Sequence, residues 1–107
     1  MVPLNFGIDD NGSITGDNGF RIVWSKYDKV VFLYIYQDNT SLASNVDYDV
    51  TTLPASLKPK YYYTFAEENP ANKGVFTINN ETGKITFKQT SGVSSFYMKG
   101  TTTFITA

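Results

Sequence analysis

The 107 residues include no cysteine and no histidine, and only one arginine, Arg21. Without cysteine the chain can form neither a disulfide nor a thiolate metal site. Without histidine it lacks the commonest general base and the commonest transition-metal ligand. An excess of either charge is missing too: nine Lys and Arg stand against ten Asp and Glu, scattered rather than in runs. That balance argues against nucleic acid or an anionic membrane as the partner. No apolar run approaches the roughly 18 residues of a membrane span. The opening MVPLNF has no basic region of the kind that begins a signal peptide, and it reads as the start of a domain cut from a longer protein with an added Met.

Aromatic residues are abundant: eight Tyr, eight Phe and one Trp, more than a core of this size requires. A chain of this length is expected to be one domain, residues 1–107, burying roughly two-thirds of its unfolded surface. Its most concentrated stretch is Lys29 to Gln37, KVVFLYIYQ, in which seven consecutive residues are β-branched, aromatic or Leu. On a strand, Val31, Leu33 and Ile35 point to one side and Val30, Phe32, Tyr34 and Tyr36 to the other. Both sides then want a cover. One is expected to face the core and the other, with its two Tyr hydroxyls, a neighbouring subunit.

The rest of the chain reads as further strands. Leu4, Phe6 and Ile8 alternate in a lead-in strand that Pro3 would confine to an edge. In DDNGSITGDNG, residues 9–19, two Asn-Gly turn signals bracket a minimal strand, Ser13 to Thr15. The run lacks the D-x-D-x-D-G spacing and distal Glu of a calcium loop, so it reads as hairpin. Residues 20–27 set Phe20, Ile22 and Trp24 against Arg21, Val23, Ser25 and Tyr27, and Asp28-Lys29 turns into the central strand. After a polar loop, residues 37–45, a strand is expected over residues 46–52, with Asp47 and Asp49 outward. Leu53-Pro54-Ala55-Ser56-Leu57-Lys58-Pro59 is a rigid corner rather than strand or helix. It leads into a strand whose Tyr61, Tyr63 and Phe65 are expected to face the core and Tyr62 the solvent. A polar loop over residues 67–74 precedes a hairpin of residues 75–78 and 84–88 with Ile85 and Phe87 inward, and 89–95 is a small-residue loop. The chain closes on a strand that sets Phe96, Met98 and Phe104 against Tyr97, Lys99, Thr101, Thr103 and Ile105, with Gly100 marking a bulge or a close backbone approach. Eight or nine strands and no helix predict an all-β fold, an antiparallel β-sandwich of jelly-roll or Greek-key kind.

The second half carries Leu53-Pro54-x-x-Leu57-x-Pro59, then Gly74-Val75-Phe76-Thr77-Ile78, Thr82-Gly83-Lys84-Ile85-Thr86 and a Thr-rich last strand. That order, over roughly residues 19–107, resembles the C-terminal head domains of phage tail-tip and baseplate adhesins from Gram-positive hosts, above all the receptor-binding proteins of lactococcal siphophages. The resemblance implies a homotrimeric head at the tail tip of a virion. Residues upstream of Met1 would join it to the rest of the baseplate. Its task would be adsorption to cell-wall saccharide, without catalysis, cofactor or metal.

The binding residues do not follow from a matched motif; they are chosen by chemistry. A sugar needs a flat ring for its C–H face and fixed polar groups for its hydroxyls. Trp24 and Tyr62 are the candidate platforms, with Arg21, Glu67, Glu68, Asn69 and Lys99 as polar partners. The first reading of Trp24 is nonetheless a core anchor on the Phe20–Ile22 side, and that of the loop residues solvated surface. Two other functional classes stay open. One is a structural, trimerising virion subunit without ligand. The other is a polysaccharide hydrolase using Asp47 and Asp49, which a strand would hold about 7 Å apart.

Overall fold

The computed structural model describes residues 10–37, 42–68, 73–90 and 98–107. The expected lead-in strand with Leu4, Phe6 and Ile8, together with Asn69, Phe96 and Tyr97, lies outside the described residues. Two four-stranded antiparallel sheets pack face to face. The first contains β1 (Asp10–Thr15), β2 (Phe20–Tyr27), β3 (Val30–Gln37) and β8 (Met98–Ile105), in the order β1-β2-β3-β8. The second contains β4 (Tyr48–Thr52), β5 (Tyr63–Ala66), β6 (Gly74–Ile78) and β7 (Lys84–Gln89), in the order β4-β7-β6-β5. The long link from β4 to β5 carries the chain to the opposite edge, from which β6 and β7 return by hairpins. That is a Greek key.

Local chemistry explains the turns. At Asp17–Phe20 both central residues have positive φ, 56° at Asn18 and 80° at Gly19, as a primed hairpin turn requires. The Phe20 N–H donates to the Asp17 carbonyl at 3.1 Å to close it. Asp28, at φ 54°, turns β2 into β3, and the two strands pair from Tyr27 with Val30 to Phe20 with Gln37. Between β6 and β7, the Asn79 Oδ1 accepts from the backbone N–H groups of Glu81 at 2.8 Å and Thr82 at 3.1 Å. This Asx arrangement reproduces a backbone turn with a side chain.

The core lies between the sheets. Phe20, Ile22, Val31, Leu33, Ile35, Met98 and Phe104 from the first meet Val50, Phe76, Ile78, Ile85 and Phe87 from the second. Phe76 is its hub: its ring stacks on Phe65 at 5.0 Å, tilts against Phe87 at 4.7 Å and meets Phe20 edge-on at 6.0 Å. Gly100, opposite Ile35 in an unbroken register, leaves the space this cluster occupies. A Cβ there would lie 2.7 Å from the Phe76 ring and 2.9 Å from that of Phe65. The glycine therefore marks a close approach, not a bulge.

Several local expectations are corrected. Asn11-Gly12 is not a turn but lies inside β1, where Gly12 opposes Trp24 and a Cβ would sit 2.9 Å from the indole. The bare backbone lets the ring lie across the strand. Val46 precedes β4 and is exposed, and the β4–β7 register shifts between Asp49 and Thr51. The proline corner contains one turn of 3-10 helix, Ala55–Leu57, closed by the Leu57 N–H on the Pro54 carbonyl at 2.9 Å. Tyr61 does not face the core; it is 66% exposed. Lys60 is still tied to β8 there, its N–H donating to the Ile105 carbonyl at 2.8 Å, so the alternation of β5 begins only at Tyr63. Gln89 ends β7 rather than opening a loop, and its buried amide donates to the Leu42 carbonyl at 2.8 Å.

Gly100→Ala is expected to cost about 1–3 kcal/mol, because the methyl must displace two packed rings. Thr101→Ala, one residue along on the exposed side, is expected to change stability by no more than about 0.5 kcal/mol. Urea unfolding of the two variants checks the contrast, and equal midpoints would remove the Phe76 cluster as its cause.

Candidate binding face

A sandwich covers only one side of each sheet, and the other side of β2, β3 and β8 is the most distinctive surface among the described residues. Register places Arg21, Tyr36 and Lys99 in one row across the three strands. Val23, Tyr34 and Thr101 form the next row, and Ser25, Phe32 and Thr103 the third. Tyr27, Val30 and Ile105 form the last row. Opposed side chains in such rows stand about 4.5–5.5 Å apart at Cβ. Two ring pairs cover part of this face: Tyr34 stacks on Tyr36, and Tyr27 on Phe32, each with centroids 5.4 Å apart. Phe32 remains 41% exposed and Val23 43%.

The face is chemically graded. At one end the guanidinium of Arg21 and the ammonium of Lys99 flank Tyr36 across the strands. In the middle, a shallow hollow of about 470 Å³ is lined by Val23, Ser25, Phe32, Tyr34, Thr101 and Thr103, with Trp24, Leu33 and Thr102 of the same strands at its base. No strand residue pointing to this side carries a carboxylate: β1 contributes Asn11, Ser13 and Thr15, paired with Ser25, Val23 and Arg21. Rings and hydroxyls therefore alternate over its floor. A ring can receive an apolar C–H surface, and a hydroxyl can donate or accept as a ligand demands.

The residues expected to bind are dispersed. Arg21 and Lys99 sit on this face, at its cationic end. Trp24 shares the core-facing side of β2 with Phe20 and Ile22, is half-buried and packs against the core. Tyr62 is exposed just before β5, beside a separate shallow hollow of about 270 Å³ that it lines with Thr77, Asn79, Thr82, Lys84 and Thr86. Glu67 is buried, and its Oε1 accepts from the Lys99 backbone N–H at 3.1 Å. The exposed Glu68 donates its own N–H to the Lys99 carbonyl at 2.9 Å. Together these two residues clip the end of β5 to the edge of β8, which holds Lys99 in place. Asn69 is outside the described residues.

In the sequence, Tyr34 and Tyr36 point to a subunit contact, and nothing marks Phe32, Thr101 or Thr103 for binding. The usable signal was the joint alternation of three strands, which becomes a surface only once β8 is known to pair with β3. The two acidic residues of the hydrolase reading part company: Asp47 precedes β4, whereas Asp49 pairs with Lys84, Oδ1 to Nζ, at 3.1 Å on an exposed surface. Among the described residues, no group of three or more His, Cys, Asp or Glu converges as metal ligands do.

Glu67→Ala is expected to destabilise the fold by about 1–3 kcal/mol, because it leaves the Lys99 N–H without its carboxylate partner. If Glu67 is structural, any ligand affinity of the folded variant stays within about twofold of wild type in a calorimetric titration. A large affinity loss at unchanged stability would make it a binding residue instead. No protein-family model matches this chain, and no curated protein matches it in sequence.

Proposed function

We propose that this domain is a non-catalytic recognition module that binds cell-wall saccharide of a Gram-positive host, as the head of a phage tail-tip adhesin. The observation that carries the binding half is the outer face of β2, β3 and β8. It combines exposed rings, a floor of Ser and Thr hydroxyls and cations at one end. A saccharide presents the complementary surface, apolar C–H patches edged by hydroxyls. The phage half is supported by the order of the Leu53-Pro54 corner, the hairpin of β6 and β7 and the Thr-rich β8, which carries the resemblance to lactococcal phage receptor-binding heads. In that setting three copies form the head, on a virion, joined to the rest of the baseplate.

A second reading is favoured by one observation. Val23, Phe32 and Ile105, the last 56% exposed, give the same face an apolar component that a neighbouring copy could cover. On that reading the chain is a structural subunit of the virion without a ligand, and Tyr34 and Tyr36 lie between copies.

Two measurements on the wild type and Tyr34→Ser separate the readings. On an array of Gram-positive wall glycans the wild type is expected to bind, and Tyr34→Ser to lose about tenfold or more in affinity with its mass in solution unchanged. Light scattering is expected to give three times the 12.0 kDa of the chain. Wild-type protein that binds no glycan, with a Tyr34→Ser variant that dissociates, would establish the structural reading. A mass of one chain would remove the trimer.

A further inference from the structure

We infer that the outer face takes a run of linked sugars lying along β3 and β8, rather than a single terminal sugar. This rests on the saccharide reading above and adds the length and direction of the ligand. A second hollow, of about 340 Å³, adjoins the first. Val30, Thr103 and Ile105 line it from the sheet, and Tyr61 and Tyr63 from the side. Thr103 lines both hollows, so they adjoin on β8, the second reaching round its edge to Phe104. Tyr34 in the first and Val30 in the second are four residues apart on β3, about 13 Å by strand rise. That span exceeds one pyranose ring, so a single sugar fills one hollow and leaves the other wet.

The second hollow is a built wall, not a gap between loose side chains. The Tyr63 hydroxyl donates to the Thr103 carbonyl at 3.0 Å, which fixes that ring against the β8 edge. Lys60, whose N–H is bonded to the Ile105 carbonyl, brings the chain alongside β8, and its ammonium lies 5.6 Å from the centre of the Tyr61 ring. The exposed Tyr61 is thus the one large ring in this hollow without a role in the core. Sequence alternation assigned it to the interior, and its displacement to the surface is what creates the second platform.

The occupant follows from the lining. No charged residue lines either hollow, so the sugars within them need carry no charge; the nearest cations are Arg21 and Lys99 beyond one end and Lys60 beside the Tyr61 ring. A purely apolar partner would desolvate the Ser25, Thr101 and Thr103 hydroxyls without bonding them. A neutral saccharide chain meets both conditions, since each unit carries its own hydroxyls beside a C–H face.

The test uses oligosaccharides cut from a wall glycan that the wild-type protein binds and sized from one sugar upward, titrated by calorimetry. Wild-type affinity is expected to rise about two- to tenfold with the units that reach the second hollow. Tyr61→Ser, an exposed substitution with circular dichroism as its folding control, is expected to abolish that rise and leave the shortest fragment's affinity unchanged. Ile105→Ser is expected to act in the same direction. Affinity independent of length overturns the inference, as does a Tyr61→Ser variant that matches the wild type at every length. So does a variant that only lowers the mass in solution, which would give this end to contact between copies. A wild type that binds no glycan at all is a different failure, removing the saccharide reading itself.

Discussion

The packing of Phe76 against Phe20, Phe65 and Phe87 governs the rest of the molecule. These rings span the space between the two sheets, and their dimensions set how closely the sheets approach. Gly100 is placed where a methyl would collide with two of them. A two-layer sandwich has one interior, so this cluster also decides which side of each strand is covered. β3 is apolar or amphipathic on both sides, yet only the side with Val31, Leu33, Ile35 and Gln37 reaches the interior. Val30, Phe32, Tyr34 and Tyr36 are left outside because the second sheet has only one side to offer. The aromatic face is thus a consequence of the core and takes its position from it.

That origin explains why the outer rings pair with each other. Tyr27 lies on Phe32 and Tyr34 on Tyr36, so each ring hides part of its neighbour's apolar surface without a second layer. Threonines on β8 and Ser25 on β2 fill the positions between, and the Arg21–Tyr36–Lys99 row closes one end. Glu67 and Glu68 bind the backbone of Lys99, so β8 is held from beside rather than from above. The face therefore stays clear of the contacts that stabilise it.

Much of the architecture could be read from the residues. The alternation of β2, β3 and β8 and the Asp17-Asn18-Gly19 and Asn79–Gly83 turns depend on local chemistry, which sequence displays directly. What could not be read depends on contacts distant in sequence. Asn11-Gly12 has the form of a turn, but Gly12 serves Trp24 across the hairpin. Tyr61 continues the alternation of β5, but a hydrogen bond from Lys60 to β8 delays the strand. Leu42 sits in a polar run and is buried, its carbonyl held by the amide of Gln89 from 47 residues away. The site was harder to read than the fold for the same reason. Trp24 and Tyr62 are single conspicuous rings in the sequence, whereas the face is a property of three strands in register.

The remaining question is what such a face is suited to touch, and solvation decides it. Burying the exposed parts of Val23, Phe32 and Ile105 is favourable at about 25 cal/mol per Å² whatever covers them. The hydroxyls of Ser25, Thr101 and Thr103 are less forgiving, since each one buried without a partner costs about 1–3 kcal/mol. A second apolar protein surface gains the first term and incurs the second three times over. A ligand that supplies C–H surface and hydroxyls together gains the first and escapes the second. Geometry alone would admit either cover. The alternation of ring and hydroxyl, repeated from row to row across the sheet, favours the one that brings its own hydrogen-bonding groups.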